Sequence, residues 1–280
     1  MFNNITAVIV TYNSVHLLPK IISTLSLFKH IVVVDNSTSA SMRVAAHLTK
    51  FFPEGTFINS PKNLGYGAGN NLGFDQVKTE YALILNPDLT IDKKNLSAML
   101  NTMQQYPKAM VVGANIYDTR LEKFERSYDW TWKYTGTPNK INPDGDVSTM
   151  WLFGCCLLIR KSLFEGIGRF DERIFMYYEE FDICKRAVEK GYDVILSKNA
   201  IAFHESQSSS IEPLRVYFIK SIHWSRSKRI FAVKHGYANF GSIKRIWFFS
   251  YNLLLTAIFI LLIRPKRSLK YFAQCISALK

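Results

Sequence analysis

Residues 63–73 read Asn63-Leu64-Gly65-Tyr66-Gly67-Ala68-Gly69-Asn70-Asn71-Leu72-Gly73, with four glycines around the start of a predicted helix. Because glycine has no side chain, such a backbone lets a bound diphosphate approach closely, near the positive end of the helix dipole. The run is neither the Rossmann fingerprint nor a P-loop, since no Gly-Lys-Ser/Thr follows it. It indicates a phosphate-binding turn of a different kind.

The chain around this run alternates between predicted strands and helices. Apolar and β-branched runs predict strands at Ile5–Val10, Ile31–Val34, Thr56–Asn59 and Tyr81–Leu85, and helical spacing predicts helices at 15–28, 39–51, 67–77 and 93–105. This alternation is typical of parallel β-α-β units, in which ligands bind beyond the carboxyl ends of the strands. Residues 1–113 are therefore expected to form half of an open, mostly parallel α/β sheet flanked by helices.

The pattern changes after residue 113. Residues 114–150 mix Tyr and Trp with Pro and Gly, which is typical of a long irregular loop that serves as a lid or specificity element. A strand at Trp151–Ile159, a helix at Glu179–Lys190 and a strand at Tyr192–Leu196 are predicted to follow.

Charge divides the chain into a neutral body and a basic tail. Residues 1–212 contain 22 basic and 22 acidic residues, whereas residues 213–280 contain 13 basic residues and no acidic one. The tail therefore carries the whole net charge of +13. Such asymmetry indicates a polyanionic partner, either nucleic acid or an anionic membrane surface.

An uncharged stretch within the tail favours the membrane. Residues 246–263 hold 18 uncharged residues between Lys244-Arg245 and a basic cluster at 264–270, so we expect no nucleic-acid partner. The length lies at the threshold for a spanning helix, but a span would separate that cluster from the body, against the positive-inside tendency. An in-plane or re-entrant helix is favoured, and the alternatives are a single span or a buried C-terminal helix.

Composition and cysteine usage suggest a folded protein of the cytosol. The hydrophobic content of 48% excludes a disordered chain. The four cysteines show no Cys-x-x-Cys pair and no zinc-ligand spacing, so reduced thiols are expected. The first residues run directly into a predicted strand, without the basic and apolar regions of a signal peptide.

Polar residues follow three of the predicted strands. Thr11-Tyr12-Asn13 follow the first, Asp35-Asn36-Ser37 the second and Asn86-Pro87-Asp88 the fourth. Carboxylates and amides at adjacent strand ends can bind a nucleobase and ribose, and Asp88 is a suitable ligand for Mg²⁺ or Mn²⁺. The alternative for residues 35–37 is that they cap the next helix.

In this order the motifs resemble the inverting family 2 glycosyltransferases, in particular their bacterial rhamnosyltransferase-like branch. The resemblance runs from Thr6 to about Ser210 and includes residues 154–160, residues 168–184 and His204. It implies a GT-A fold over residues 1–212, with 1–113 as the nucleotide-sugar half and 114–212 as the acceptor and catalytic half. Residues 213–280 are then a helical tail for membrane association.

The resemblance also implies a donor site and a metal site. Asp35 is expected to contact the base. The other residues expected at the donor are Thr11, Tyr12, Asn13, Asn63, Gly65, Gly69, Asn71, Asn86 and Asp88. Asp88 matches the last Asp of the family's Asp-x-Asp motif, and Asn86 stands where other members have the first. His204 resembles a further ligand, so Asp88 and His204 are expected to hold Mg²⁺ or Mn²⁺. The alternative for His204 is a strand-end histidine bonded to its neighbours.

The catalytic base is expected in the acidic run at residues 179–182. The family's usual pair is Glu-Asp with the Asp as base, and this chain has Glu179-Glu180, so the match places Glu180 in that role. Asp182 is the alternative base, and a helix N-terminus rich in acids is the alternative for all three carboxylates. One protein carboxylate suffices for inverting transfer, because the metal carries the leaving group.

The activity implied is transfer of L-rhamnose from dTDP-rhamnose to a lipid-linked saccharide in O-antigen, capsule or cell-wall polysaccharide assembly. The place implied is the cytoplasmic face of the bacterial inner membrane. The alternatives are another donor, namely UDP-galactose, UDP-glucose or UDP-galactofuranose, and a nucleotide-sugar-binding protein without turnover. A processive synthase is disfavoured, because the chain has no Gln-x-x-Arg-Trp motif.

Overall fold

The computed structural model describes residues 1–125, 128–129, 145–204, 214–237, 250–258 and 265–279. They fall into two compact units, one formed by Met1–Asp171 with Glu180–Ser206 and the other by Glu172–Glu179 with Gln207–Lys280. The predicted domain boundary at residue 212 lies outside the described residues.

The first unit is built on one large mixed sheet. Its strands are β1 (Phe2–Thr11), β2 (Phe28–Asp35), β3 (Thr56–Asn59), β4 (Tyr81–Leu85), β5 (Leu89–Thr90), β6 (Ala109–Asp118), β7 (Lys123–Phe124), β9 (Val147–Ser148), β11 (Cys156–Arg160) and β12 (Asp193–His204). A separate two-stranded sheet pairs β8 (Tyr128–Asp129) with β10 (Trp151–Leu152).

The helices before residue 206 are α1 (Leu18–Leu25), α2 (Ala45–Leu48), α3 (Tyr66–Phe74), α4 (Lys93–Gln105), α5 (Lys161–Gly166) and α6 (Glu179–Glu189). Those of the second unit are α7 (Leu214–Lys234), α8 (residues 250–258) and α9 (Pro265–Leu279). Apolar residues at helical spacing explain the packing of α4, whose Leu96, Met99 and Met103 are fully buried.

The order of the strands creates a ligand-binding edge. The sheet runs β3-β2-β1-β4-β11-β6-β12-β5, and β1 is parallel to both β2 and β4. The chain therefore leaves β1 on one side for β2 and β3 and returns on the other side for β4. In open α/β sheets the crevice at such a reversal, beyond the carboxyl ends of the strands, binds the ligand. Thr11 is the last residue of β1, and Asn86 directly follows β4.

Helix α3 packs on the sheet through its glycines. A Cβ on Gly73 would lie 2.6 Å from Cγ1 of Val8, and a Cβ on Gly69 would lie 2.9 Å from Cγ1 of Val10. Real Cβ atoms do not approach that closely, so the backbone of α3 lies directly on β1. Because Val10 is nearer the end of β1 than Val8, the N-terminus of α3 points to the carboxyl edge of the sheet.

Two predicted helices are shorter in the structure. The prediction of one helix at 39–51 is wrong, because this region contains a 3₁₀ turn at Ala40–Met42 and the single-turn helix α2. The Asp35 carboxylate accepts a hydrogen bond from the Val44 amide at 2.6 Å, which ties this segment to the end of β2. The helix predicted at 15–28 stops at Leu25, and Phe28 begins β2 beside Phe2.

The strand predicted at 151–159 is interrupted. Residues 153–155 separate β10 from β11. Within them, Gly154 O accepts from the Tyr66 hydroxyl at 2.7 Å, and Cys155 O accepts from the Asn86 amide at 2.9 Å just beyond the end of β4. The irregular loop predicted at 114–150 begins later, since β6 continues to Asp118 and β7 pairs with it. Residues 130–144 of that loop lie outside the described residues.

Most of the described residues of the second unit are helical. Helix α7 packs against α9, with the Phe218 and Phe272 rings stacked at 5.7 Å. The Ser227 hydroxyl donates to the carbonyl of Met176 at 2.8 Å and joins α7 to the 172–179 segment. Within the described parts of the chain, no helix has the length and hydropathy needed to cross a membrane. Of the uncharged stretch at 246–263, residues 250–258 are helical and the others lie outside the described residues.

Candidate active site

The turn that precedes α3 is held by side-chain hydrogen bonds. The Asn63 side-chain oxygen accepts from the Gly65 amide at 3.0 Å, and the Asn36 side-chain amide donates to the Gly65 carbonyl at 3.0 Å. Gly65 has a φ of +86°, a conformation that favours glycine. The predicted phosphate-binding turn is thus fixed at the N-terminus of α3, next to the end of β1.

Asp35 lies at the end of β2 with no exposed surface. Its two oxygens accept from the backbone amides of Ser37 at 2.9 Å and Val44 at 2.6 Å. The capping alternative therefore describes part of what this side chain does. Each oxygen keeps a second lone pair, and contact with a base stays a prediction.

The residues after β1 present both buried and exposed groups. Thr11 is fully buried, and its hydroxyl has no hydrogen-bond partner among the described residues. Tyr12 is 50% exposed, and the next residue, Asn13, adopts a φ of +54°. The Ser37 hydroxyl accepts from the Asn13 amide at 2.8 Å, which joins the ends of β1 and β2. A left-handed Asn at this edge is the kind of backbone strain that clusters at binding sites.

Two residues predicted to bind the donor, Asn71 and Gly69, make structural contacts. The Asn71 side chain donates to the Phe170 carbonyl at 3.0 Å and accepts from the Phe170 amide at 3.1 Å. This reciprocal pair joins α3 to the segment before α6. Gly69 lies against Val10, as described above. Both positions support the donor edge, and direct contact with a nucleotide stays a prediction for each.

An acidic cluster with one histidine gathers beside the end of β4. The His204 ring approaches an Asp88 oxygen at 3.3 Å through Nε2 and a Glu125 oxygen at 2.7 Å through Nδ1. Ligand atoms of Asp118, Glu125 and His204 lie within 4.8 Å of one another. The structure therefore brings together the predicted pair Asp88 and His204 and adds two carboxylates.

This cluster has the donor set that a divalent cation takes. Asp88 Oδ1 and Asn86 Oδ1 are buried and have no hydrogen-bond partner among the residues that the structure describes. The Asp88 and Glu125 carboxylates raise the pKa of His204 to about 10, which shows how strongly the cluster favours a positive charge. Oxygen and imidazole ligands suit Mg²⁺ and Mn²⁺. The residues present therefore fit a cation of this class.

Glu125 and Asp118 were not found from the sequence. Strand β12 runs parallel to β6 with His204 opposite Asp118, and the β6-β7 hairpin turns the chain back so that Glu125 follows β7. Asp118 also accepts from the amides of Arg120 and Leu121, both at 2.9 Å, and so caps this turn. These contacts depend on long-range strand pairing, so no local spacing could reveal them.

Glu180 lies in the first turn of α6 and is 9% exposed. A Cβ on Gly154 would lie 3.2 Å from its Cβ, so the glycine makes room for this side chain. Its Oε2 is buried without a hydrogen-bond partner in the described part of the chain. Burial raises the pKa of Glu180 to about 7. A carboxylate with that pKa can take a proton near neutral pH.

Asp182 has a different environment. It has no exposed surface, and its Oδ2 accepts from Arg186 Nη2 at 2.6 Å and from Arg186 Nε at 2.9 Å. The same guanidinium donates to the carbonyls of Ile167 and Arg169, both at 2.5 Å. Asp182 and Arg186 thus fasten α6 to the segment that follows α5.

The sheet order and the glycine-rich helix start are typical of nucleotide-binding α/β proteins. Residues 6–168 match the family described as Glycosyl transferase family 2. Because the match covers more than half of the chain, this protein belongs to that family, and it is a hexosyltransferase.

Relatives of known activity span most of the chain. The low-salt glycan biosynthesis hexosyltransferase Agl10 of Haloferax volcanii is 26% identical, over 99% of this chain and 90% of its own length. The N-acetylglucosaminyl-diphospho-decaprenol L-rhamnosyltransferase of Mycobacterium tuberculosis is 25% identical, over 76% of this chain and 80% of its own. The rhamnosyltransferase WbbL of Escherichia coli K12 is 24% identical, over 57% and 66%.

A solved structure confirms the predicted GT-A fold. GalNAc-T7, crystallised with UDP, GalNAc and Mn²⁺, superposes with a TM-score of 0.58 at 13% identity and covers 86% of this chain. The chain spans about half, 53%, of that structure's length. The likeness concerns the fold alone.

Proposed function

We propose that this glycosyltransferase moves L-rhamnose from dTDP-rhamnose to a lipid-linked saccharide, with inversion at the anomeric carbon, in surface-polysaccharide assembly. The observation that carries the proposal is the acidic cluster at the end of β4, where Asp88 lies 3.3 Å from His204. The sugar is supported by the two rhamnosyltransferase relatives. The lipid-linked acceptor is supported by the name of the mycobacterial relative, which acts on a diphospho-decaprenol substrate.

The donor binds across the carboxyl ends of β1, β2 and β4. Amide groups at the start of α3, opened by Gly65, receive the diphosphate. Asp35 contacts the base, with Thr11, Tyr12, Asn13 and Asn86 lining the rest of the nucleotide-sugar. Asn63, Gly69 and Asn71 hold this edge in shape through the contacts described above.

Asp88 and His204, together with Glu125 and Asp118, hold a divalent cation, Mg²⁺ or Mn²⁺. When bound, the cation supplies the positive charge that stabilises a leaving diphosphate. The buried, unpartnered oxygens of Asp88 and Asn86 support this assignment within the described residues.

Glu180 is the general base. Its carboxylate takes the proton of the acceptor hydroxyl, whose oxygen forms a bond to the anomeric carbon as the bond from that carbon to the diphosphate breaks. A pKa of about 7 leaves about half of the enzyme in the ionised, competent form at neutral pH. Asp182 positions α6 through Arg186 and does not transfer the proton.

The protein works as a peripheral enzyme at the cytoplasmic face of the bacterial inner membrane. The basic charge of residues 213–280 supports attraction to an anionic lipid surface, and the uncharged residues 246–263 support shallow insertion. A second donor class, the UDP-hexoses, is favoured by the hexosyltransferase relative that aligns with 99% of this chain.

A donor screen tests the proposal. The full chain with Mn²⁺ is melted in the presence of dTDP-rhamnose, UDP-galactose, UDP-glucose or UDP-galactofuranose, and a ligand that binds the native state raises the melting temperature. Transfer from the bound donor to an N-acetylglucosaminyl-diphospho-prenol is then measured. A larger shift with a UDP-hexose replaces the rhamnose assignment. Binding without transfer or donor hydrolysis makes the chain a nucleotide-sugar-binding protein.

A further inference from the structure

The second unit contains a solvent-open cavity of about 420 Å³ that the donor, the cation and the base do not use. It is lined by Tyr177, Tyr217, Lys220, Ser221, Trp224, Ser225 and Lys270. Five of these side chains lie on α7 at spacings of three or four residues, so they share one face of the helix. The volume suits a small organic ligand or the end of a larger one.

The wall of this cavity is basic and aromatic. Lys220 comes from α7 and Lys270 from α9, and neither helix contains an acidic residue. Further amines lie over the aromatic rings, with Lys228 Nζ 5.0 Å from the centre of the Trp224 ring. Burial, and to a smaller extent the charge of Lys270, lower the pKa of Lys228. Such a wall suits an anion attached to an apolar or sugar group.

Ser225 gives an independent sign of a ligand. It is 8% exposed and lines the cavity, and its hydroxyl has no hydrogen-bond partner among the described residues. A buried hydroxyl without a partner is unfavourable, so the folded chain keeps this one at a cost. An oxygen of a ligand in the cavity is the partner that it lacks.

We infer that this cavity binds the diphosphate of the lipid-linked acceptor, an inference that rests on the proposed function. Lys220 and Lys270 contact the phosphate oxygens from two helices, and Ser225 donates a hydrogen bond to one of them. Tyr177 and Trp224 pack against the first prenyl unit. An anionic phospholipid headgroup shares the phosphate chemistry, and the experiment below separates the two sources.

Binding of farnesyl diphosphate to the full chain in detergent tests the inference. The double variant Lys220→Gln/Lys270→Gln should weaken binding roughly 10-fold or more. The matched control Arg226→Gln/Lys234→Gln removes the same charge from α7 outside the cavity lining and should weaken it less than about 3-fold. No binding by the wild type, or equal losses in the two variants, would overturn the inference.

Further arms identify the source of the phosphate. Inorganic pyrophosphate and farnesol should each bind more weakly than farnesyl diphosphate, and equal binding of either would contradict a site for both parts. Vesicles of phosphatidylglycerol that require the two lysines, combined with no farnesyl diphosphate binding, would assign the cavity to phospholipid. Ser225→Ala should weaken farnesyl diphosphate binding without lowering the melting temperature, because its hydroxyl has no protein partner in the described chain.

The inference and the proposed function can fail separately. The binding assay needs neither donor nor transfer, so Asp88→Asn should bind farnesyl diphosphate as the wild type does. If farnesyl diphosphate binds through the two lysines while no nucleotide-sugar is used, the assignment of the cavity is kept and the proposed activity is wrong. If transfer proceeds and Lys220→Gln/Lys270→Gln leaves KM for the lipid-linked acceptor unchanged, the activity stands and the cavity does not.

Discussion

Two groups of acidic side chains at the candidate site differ in how the fold assembles them. Asp88, Asp118 and Glu125 come from separate segments and converge on His204. Glu180 and Asp182 lie on one helical turn, yet Glu180 Oε2 has no hydrogen-bond partner among the described residues, whereas Asp182 is held by Arg186. In the first group, carboxylates from distant segments come together around one histidine. In the second, two carboxylates of one helix differ because, among the described residues, Arg186 pairs with Asp182 and not with Glu180.

The largest loss of activity should come from changing the acidic cluster around His204. Asp88→Asn should lower kcat/KM about 10³-fold, because it removes a proposed ligand of the cation that stabilises the leaving diphosphate. EDTA should do the same to the wild type, and added Mn²⁺ should restore the rate. Initial rates of sugar transfer measure both effects. The control is Glu54→Gln, which changes an exposed carboxyl between α2 and β3. Full activity in EDTA would contradict a role for a divalent cation at the cluster around His204.

The second effect sharpens the contrast within α6. Glu180→Gln should lower kcat about 10²-fold with unchanged donor affinity, because the amide keeps the shape and cannot accept the proton. In the wild type, kcat should rise with pH through about 7, the pKa of Glu180, and then level off. Steady-state rates from pH 5.5 to 9 measure this limb. If kcat of Glu180→Gln still rose with pH to the wild-type level, the assignment of Glu180 as the base would be wrong.

The same substitution has an expected sign on stability, which serves as its folding control. The pKa of Glu180 is higher in the folded protein than the ordinary 4.5, so its contribution to stability is greatest at low pH and is lost as pH rises through about 7. Glu180→Gln should therefore be at least as stable as the wild type at pH 8. A loss of activity together with unfolding would leave Glu180 a structural residue.

The smallest effect on catalysis belongs to Asp182. Asp182→Asn should reduce the free energy of unfolding by about 2–3 kcal/mol, because Arg186 is left without its carboxylate partner. The kcat of the folded fraction should stay within about 3-fold of the wild type. Chemical unfolding and transfer assays on the same preparation give both numbers. An inactive but stable Asp182→Asn would reverse the roles of the two carboxylates.

Local patterns predicted much of the fold, because β1 to β4 are marked in the sequence by short apolar, β-branched runs. Predicted strands at Thr56–Asn59 and Tyr81–Leu85 match the structure at both ends. The prediction for 39–51 failed, because tertiary contacts hold this segment, among them hydrogen bonds from Val44 to Asp35 and from Arg43 to Ser60. The family resemblance and the Asp88–His204 pairing were also available from the sequence.

The rest of the site depends on contacts between distant parts of the chain. Glu125 reaches His204 across 79 residues, and only the pairing of β6 with β12 brings them together. The difference between Glu180 and Asp182 had a visible signal, because Asp182 and Arg186 have the i,i+4 spacing of a helical ion pair. Burial of Glu180 against Gly154 had no such signal.

The glycines of α3 set the order in which the donor site can form during folding. A nine-residue helix with glycine at 67, 69 and 73 loses roughly 1 kcal/mol of helix propensity at each of them and is unstable alone. We expect it to become helical only when β1 has formed the surface on which Gly69 and Gly73 rest. The donor site is therefore a late product of sheet assembly, and nucleotide binding reports that the sheet is complete.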